Sequence, residues 1–354
     1  MITGHRIIFL SGNYSLMSVS FEKNKICIFL LLILFVVSGT RCTPGGNDTS
    51  DKTKTNWRMA TIFSGTITDK DFNYLGYQAL LKVQKTYHIE TAYQEQVSVD
   101  SVKDVMGSFI KRGFNIIWTH GGQYQQATIE MAEEFPDIAF IVEGDDPPKP
   151  IPENVWFIDR NLQDGFYELG FVAVRSSGKG VIGYLGGEPF QSSLLEVNAI
   201  SQAIRDQNPN VELKIVWAND FNDPEKAETA TRELIDQGCD VIISSLNLGT
   251  YGMIQVLKEN PEKVLFISKF TDKSPYAPEH AITALLYDFS VPLDVIIKQI
   301  KDLQKKGYYP MGYLAGVTIQ SPFLNVDPTI ETDLKEITKD ILKKKIIVEE
   351  IYKP

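Results

Sequence analysis

Residues 115–144 read NIIWTHGGQYQQATIEMAEEFPDIAFIVEG. An apolar run (115–121) leads into a helix-length stretch (122–135), and a second apolar run follows at 138–144. Short, continuously apolar runs suit strands covered on both faces, so a helix between two of them predicts a parallel βαβ unit. The rhythm extends in both directions. It predicts further strands at 58–65, 90–97, 154–160, 181–187, 212–219, 240–246, 264–270 and 281–287. Helices are predicted at 73–87, 100–112, 164–176, 191–207, 223–238, 249–260 and 290–306, the fifth of them opened by an Asp223-Pro224 cap. Sustained alternation means α/β with parallel sheets, and ten strands suit two doubly wound lobes with a cleft between them better than one sheet.

The expected division is lobe 1 at about 57–160 plus about 288–320, and lobe 2 at about 161–287. The Pro-rich DDPPKPIPEN (145–154) stands near the expected first crossing between lobes. Later crossings are expected near 284–290 and 315–325, and a last helix (327–345) within 326–354 is expected to pack on one lobe.

With 354 residues, 43% hydrophobic and 23% charged, the chain has ordinary globular composition. A net charge of −10 argues against nucleic acid as a partner, since phosphates call for a basic face. Three cysteines, Cys27, Cys42 and Cys239, build neither a disulfide framework nor a zinc site.

The N-terminus reads as an address. ICIFLLLILFVVS (26–38), behind Lys23 and Lys25, has the length of a secretory apolar region and is short for a bilayer span. GTRC follows, then the polar stretch TPGGNDTSDKTKTN. This resembles a bacterial lipoprotein leader (1–42), with Cys42 as the lipidated residue, a polar tether (43–56) and a membrane held through the lipid. Arg41 departs from the small residue usual before that cysteine. A cleaved signal without lipid and an uncleaved anchor remain alternatives, and Met17 is a possible start. Each places the mature domain outside the cytoplasm, in the cell envelope.

No Walker loop, dinucleotide fingerprint, nucleophile elbow or H-E-x-x-H motif appears, and the four histidines are dispersed. The expectation is therefore no enzyme, no metal and no cofactor. The strand-end loops carry what a ligand cleft needs: SGTITDKDFN, THGGQY with His120 and Gly121, ANDFND, SSLNLGTYG with Asn247, and SKFTDKS with Asp272. Two of them hold Asp-Phe-Asn. Singly, Phe72 and Phe221 would staple a helix to its core. As a pair, one from each lobe, they would sandwich a flat ligand.

ITDKDFNYLGYQAL, NLQDGFYELGFVAV, GVIGYLGG and ANDFNDPEKAETATRELIDQGCDVIISS resemble the basic membrane protein family, also called PnrA-like, over 57–325. KRGFNIIWTHGGQY is most like its Med-like branch. The resemblance implies a type I periplasmic-binding-protein fold and a receptor for purine nucleosides that feeds an ABC permease and ATPase. A regulatory, Med-like role without transport is the alternative. In the family the base stacks between the Phe of D-x-S-F-N and the Phe of S-F-x-D, which fall on Phe72 and Phe221. Asp69 and Asn73 would then bond the base edge. Here Asp71 stands where Ser is usual. The family's G-V-D-x-D-Q loop falls on 268–273, so Phe270 replaces its first Asp and Lys273 its Gln. Tyr287 stands where the family has a Lys that, with that Asp, holds the ribose.

Overall fold

The computed structural model describes residues 56–313 and 315–353; the expected leader, Cys42 and nearly all of the tether lie outside the described residues. The first half of the fold runs β1 (Arg58–Phe63), α1 (Phe72–Tyr87), β2 (Glu90–Gln94), α2 (Val102–Lys111), β3 (Ile116–His120), α3 (Gln125–Glu134), β4 (Ala139–Gly144), β5 (Val155–Asp159) and α4 (Leu162–Ser176). It continues with β6 (Val181–Gly186), α5 (Gln191–Gln207), β7 (Glu212–Trp217), α6 (Pro224–Asp236), β8 (Val241–Ser244), α7 (Gly249–Glu259), β9 (Leu265–Phe270) and β10 (Ala281–Tyr287). The last elements are α8 (Ser290–Lys301), β11 (Gly307–Pro310), β12 (Val317–Ile319) and α9 (Thr329–Leu342).

The strands form two six-stranded sheets, ordered β11-β5-β4-β3-β1-β2 and β12-β10-β9-β8-β6-β7. The first is parallel throughout; in the second, only β12 runs antiparallel, against β10. Alternate side chains sort onto the two faces of each sheet, as a period of two requires. In the first, Met59, Ile116, Trp118, Ile141 and Ile158 enter one apolar cluster, while Ala60, Ile62, Ile117, Phe140 and Val142 enter another. In the second, Ile182, Val241, Ile243 and Ile267 join the first of those clusters, while Leu185, Ile242 and Phe266 fill a third. One core is thus continuous through both lobes, and each lobe also has its own.

The chain crosses between sheets three times, at 160–161, 288–289 and 311–316. One expectation is sharpened and one needs correction. The Pro-rich segment 145–154 joins β4 to β5 within one sheet, because β5 pairs in parallel with β4 from Phe140↔Val155 onward. The first crossing follows β5, where Asn161 turns the chain with φ 43°. The return expected to reach about 320 also includes β12, which pairs with β10 through Tyr287↔Val317 and therefore belongs to the second sheet. Helix α9 packs on α4. The tail beyond it lies along lobe 2. Asn198 Nδ2 donates to the carbonyls of Ile351 (3.1 Å) and Lys353 (2.7 Å), and Gln202 Nε2 to that of Ile347 (3.0 Å). Tyr352 then reaches across to donate its hydroxyl to the carbonyl of Asp145, beside β4.

Candidate functional site

On the lobe 1 side, the loop after β1 is organised by Asp69, which is almost completely buried. Its Oδ1 accepts from the N–H groups of Asp71 and Tyr74, both at 2.9 Å. Its Oδ2 accepts from the N–H (2.9 Å) and Nδ2 (2.8 Å) of Asn73. Four donors fill the carboxylate, and two of them are N–H groups in the first turn of α1 that have no partner within the helix. Asp69, expected at the ligand's edge, instead fixes the loop that presents Phe72. Asn73 Oδ1 in turn accepts from the N–H of Gly65 at 3.2 Å.

Phe72 is 8% exposed. One face of its ring lies on the imidazole of His120, with centroids 3.9 Å apart and planes at 14°. Phe289 meets it edge-on at 5.6 Å and Phe270 at a tilt at 5.3 Å. His120 is fully buried behind the ring, so it supports the wall and does not line it. Its Nε2 is 2.9 Å from the carbonyl of Phe72, which only accepts, so Nε2 carries a proton. Its Nδ1 is 2.5 Å from Glu143 Oε1. Gly76 admits the ring: a Cβ there would lie 2.6 Å from His120.

The lobe 2 side is built differently. Asp223 accepts from the N–H groups of Glu225 (2.9 Å) and Lys226 (3.2 Å), capping α6 ahead of Pro224. Phe221 precedes that cap, half-buried, with its carbonyl taking N–H bonds from Asn247 (2.9 Å) and Gly249 (3.1 Å). Its ring lies over Gly187, where a Cβ would come within 2.5 Å, and beside Phe190 at 5.8 Å and 31°.

Phe72 and Asn73 from lobe 1 meet Phe221 and Asn247 from lobe 2 on the wall of one cavity of about 390 Å³. Asp69, His120, Gly121 and Asp272 are not on that wall. Gly121 turns the chain at φ 138°. Asp272 is exposed, with its Oδ1 accepting from the N–H of Ser274 at 2.8 Å. The sequence reading did not select Phe190, Arg160, Lys269 and Phe270 as site residues, yet all four line the cavity. Each ends a strand or sits in a strand-end loop, which was the available signal. A second cavity of about 410 Å³ adjoins the first and shares Gln123, Arg160, Phe190 and Ser192 with it.

Beside the cavity the lobes are bridged. Lys273, in the loop after β9, places Nζ 2.8 Å from Asp71 Oδ1, and both side chains are fully buried. Nζ also donates to the carbonyl of Lys269 (3.0 Å) and to Thr271 Oγ1 (3.2 Å), and Thr271 donates to Asp71 at 2.8 Å. Asp71 Oδ2 is buried without a partner. Burial pushes the Asp71 carboxyl up to about 6, against the pull of Lys273 and Thr271. Burial likewise pushes the Lys273 ammonium down, against the attraction of Asp71.

Residues 57–352 match the model of the family described as ABC transporter substrate-binding protein PnrA-like. The chain belongs to that family. Curated relatives agree. Basic membrane protein A2 of Borrelia garinii subsp. bavariensis is 26% identical over 331 residues, covering 92% of this chain and 95% of its own. Transcriptional activator protein med of Bacillus subtilis is 22% identical, covering 89% and 95%. A purine-binding protein of Brucella abortus is 26% identical over 246 residues, covering 69% and 68%. A solved ABC transporter solute-binding protein from Aeropyrum pernix K1 superposes with a TM-score of 0.73 at 15% identity, covering 83% of this chain and 94% of its own. The architecture is the type I periplasmic-binding-protein fold, and the family is one of substrate-binding proteins.

Set against the PnrA-like motifs, the departures in this chain fall into two pairs. Asp71 for Ser and Lys273 for Gln, some 200 residues apart, meet as the bridge between the lobes. Phe270 for Asp and Tyr287 for Lys also meet, with ring centroids 5.2 Å apart. Tyr287 is buried and Phe270 nearly so, and Phe270 leans on Phe72. An aromatic contact stands at the two positions where the resemblance implies an Asp and a Lys.

Proposed function

We propose that this PnrA-like protein is the extracytoplasmic, lipid-anchored receptor of an ABC importer, taking a flat, base- or nucleoside-like molecule between its lobes. The observation that carries this reading is the placement of Phe72 and Phe221, from separate lobes, on one cavity wall. Each ring is backed on another side, Phe72 by His120 and Phe221 by Gly187 and Phe190, so each can offer a face to a planar guest. An offset stack adds about 0.5–1.5 kcal/mol per ring beyond area burial. Asn73 and Asn247 supply edge hydrogen bonds. Closure is hinge motion at the three crossings, and the closed form docks on a permease with its ATPase. The leader ending at Cys42 supports anchoring to the membrane. Support for a purine-like guest comes from the Brucella abortus relative, itself described as purine-binding.

The test is a thermal-shift screen against nucleosides, bases and related flat metabolites. A ligand that binds only the folded chain raises the midpoint by an amount set by its concentration over Kd. Phe221→Ala is expected to abolish the shift; unchanged binding by that variant sinks the stacking reading. A second reading, a Med-like regulator that does not serve transport, is favoured by the similarity to the Bacillus subtilis activator and by the altered ribose side. Permease and ATPase genes beside this one would count against it.

A further inference from the structure

The chain carries a net charge of −10, yet among the described residues the only charged ones on the wall of the aromatic cavity are two cations, Arg160 and Lys269. Both are at least nine-tenths buried, at 9% and 6% exposure. Lys269 Nζ donates to Glu196 Oε1 at 2.8 Å, which uses one of its three N–H groups. Glu196 is buried in α5 and also accepts from Tyr184 (2.7 Å) and Ser245 (2.5 Å) through Oε2. Arg160 holds Asp145 in a fork, Nε to Oδ1 at 3.0 Å and Nη2 to Oδ2 at 2.5 Å, which leaves Nη1 outside the fork. Neither carboxylate is on the wall of the aromatic cavity; Asp145 lines only the adjoining one. A guest between the phenylalanines therefore meets the positive end of both pairs. Phe270 adds to this, because its ring lies 4.8 Å from Lys269 Nζ and holds the ammonium by a cation–π contact.

We propose that the guest is anionic: a planar ring bearing a carboxylate or a phosphate, which takes the spare N–H groups of Lys269 and Arg160. The proposal rests on the cleft reading above and narrows it. Two buried cations with spare donors, inside apolar walls, favour an anionic acceptor over a neutral one, because charge-assisted hydrogen bonds are about twice as strong as neutral ones. The same arrangement explains how recognition survives the loss of the ribose-side pair. In this chain the charged groups on that wall stand at positions 160 and 269, while 270 and 287 are aromatic.

The experiment is calorimetric titration of the purified chain with two matched pairs: uracil against orotate, which differ by a carboxylate, and adenosine against its 5′-monophosphate. The expected result is at least tenfold tighter binding of the anionic member in one pair or both. Preference in the first pair alone identifies a carboxylate guest, and in the second alone a phosphate. Lys269→Met is expected to erase the preference. Since that change strands Glu196, the double variant Lys269→Met/Glu196→Gln is run beside it, and Arg160→Gln/Asp145→Asn tests the other cation. Equal or tighter binding of the neutral member in both pairs, still lost on Phe221→Ala, overturns the anionic guest and leaves the cleft standing. Failure of all four compounds to bind overturns both.

Discussion

The two Asp-Phe-Asn loops are alike in sequence and opposite in construction. In the lobe 1 loop, Asp69 takes four hydrogen bonds, and Phe72 is pinned inside the first turn of α1 against His120, Phe270 and Phe289. In the lobe 2 loop, Phe221 lies outside its helix, half-buried, and its nearest aromatic partner, Phe190, is itself 57% exposed. One wall of the cleft is thus set by folding, and the other is held by a few loop contacts. The lesson is that the same tripeptide can supply a rigid wall or an adjustable one, depending on what packs behind its ring.

The contrast can be broken by mutation. The largest effect is expected from Phe72→Ala, which should cost about 3–5 kcal/mol of stability by opening a cavity among buried rings, as read by denaturant titration. Lys273→Met follows closely. Leaving Asp71 buried and unpaired is expected to cost about 3–5 kcal/mol, whereas Asp71→Ser/Lys273→Gln, which removes both charges, should be near neutral or stabilising. If the double variant is as unstable as the single one, the pair is not a closed unit.

The pH dependence sharpens the same comparison. The Asp71 carboxyl is raised to about 6 in the folded chain from 3.8, so the folded state binds that proton more tightly than the unfolded one. Its contribution is full below about 4 and is lost as pH rises through about 6. The stability of the parent relative to Asp71→Ser/Lys273→Gln is therefore expected to fall between pH 4 and 7. A flat difference across that window would refute it. The smallest stability effect is expected at Phe221→Ala, about 1 kcal/mol or less, with the loss appearing in ligand affinity.

Much of the fold was legible. All ten predicted strands exist: most are buried on both faces and written as unbroken apolar runs, whereas the edge strands β2 and β7 are of mixed burial. Strands β11 and β12 were not predicted. GYYP and VTI are short edge strands with mixed burial, and partners in distant segments decide that they pair at all. At the site, strand-end spacing located the loops but not which side of each loop faces the cleft. Phe72, Asn73, Phe221 and Asn247 line the cavity, whereas Asp69 and His120 turn inward to hold what does. The Asp71–Lys273 bridge was hidden for a related reason. Each residue departs from the family pattern in a different lobe, and only the folded chain brings the two departures together.

The C-terminal tail has a practical consequence. It is hydrogen-bonded to α5 through Asn198 and Gln202, and through Tyr352 to the carbonyl of Asp145, the residue that holds Arg160 in its fork. The last few residues therefore act as a guy-rope from one lobe to the rim of the other. A purification tag fused there, or a trim after residue 345, would slacken that rope. Such a preparation is expected to show a wider opening amplitude by small-angle scattering than one tagged elsewhere, before any ligand is added.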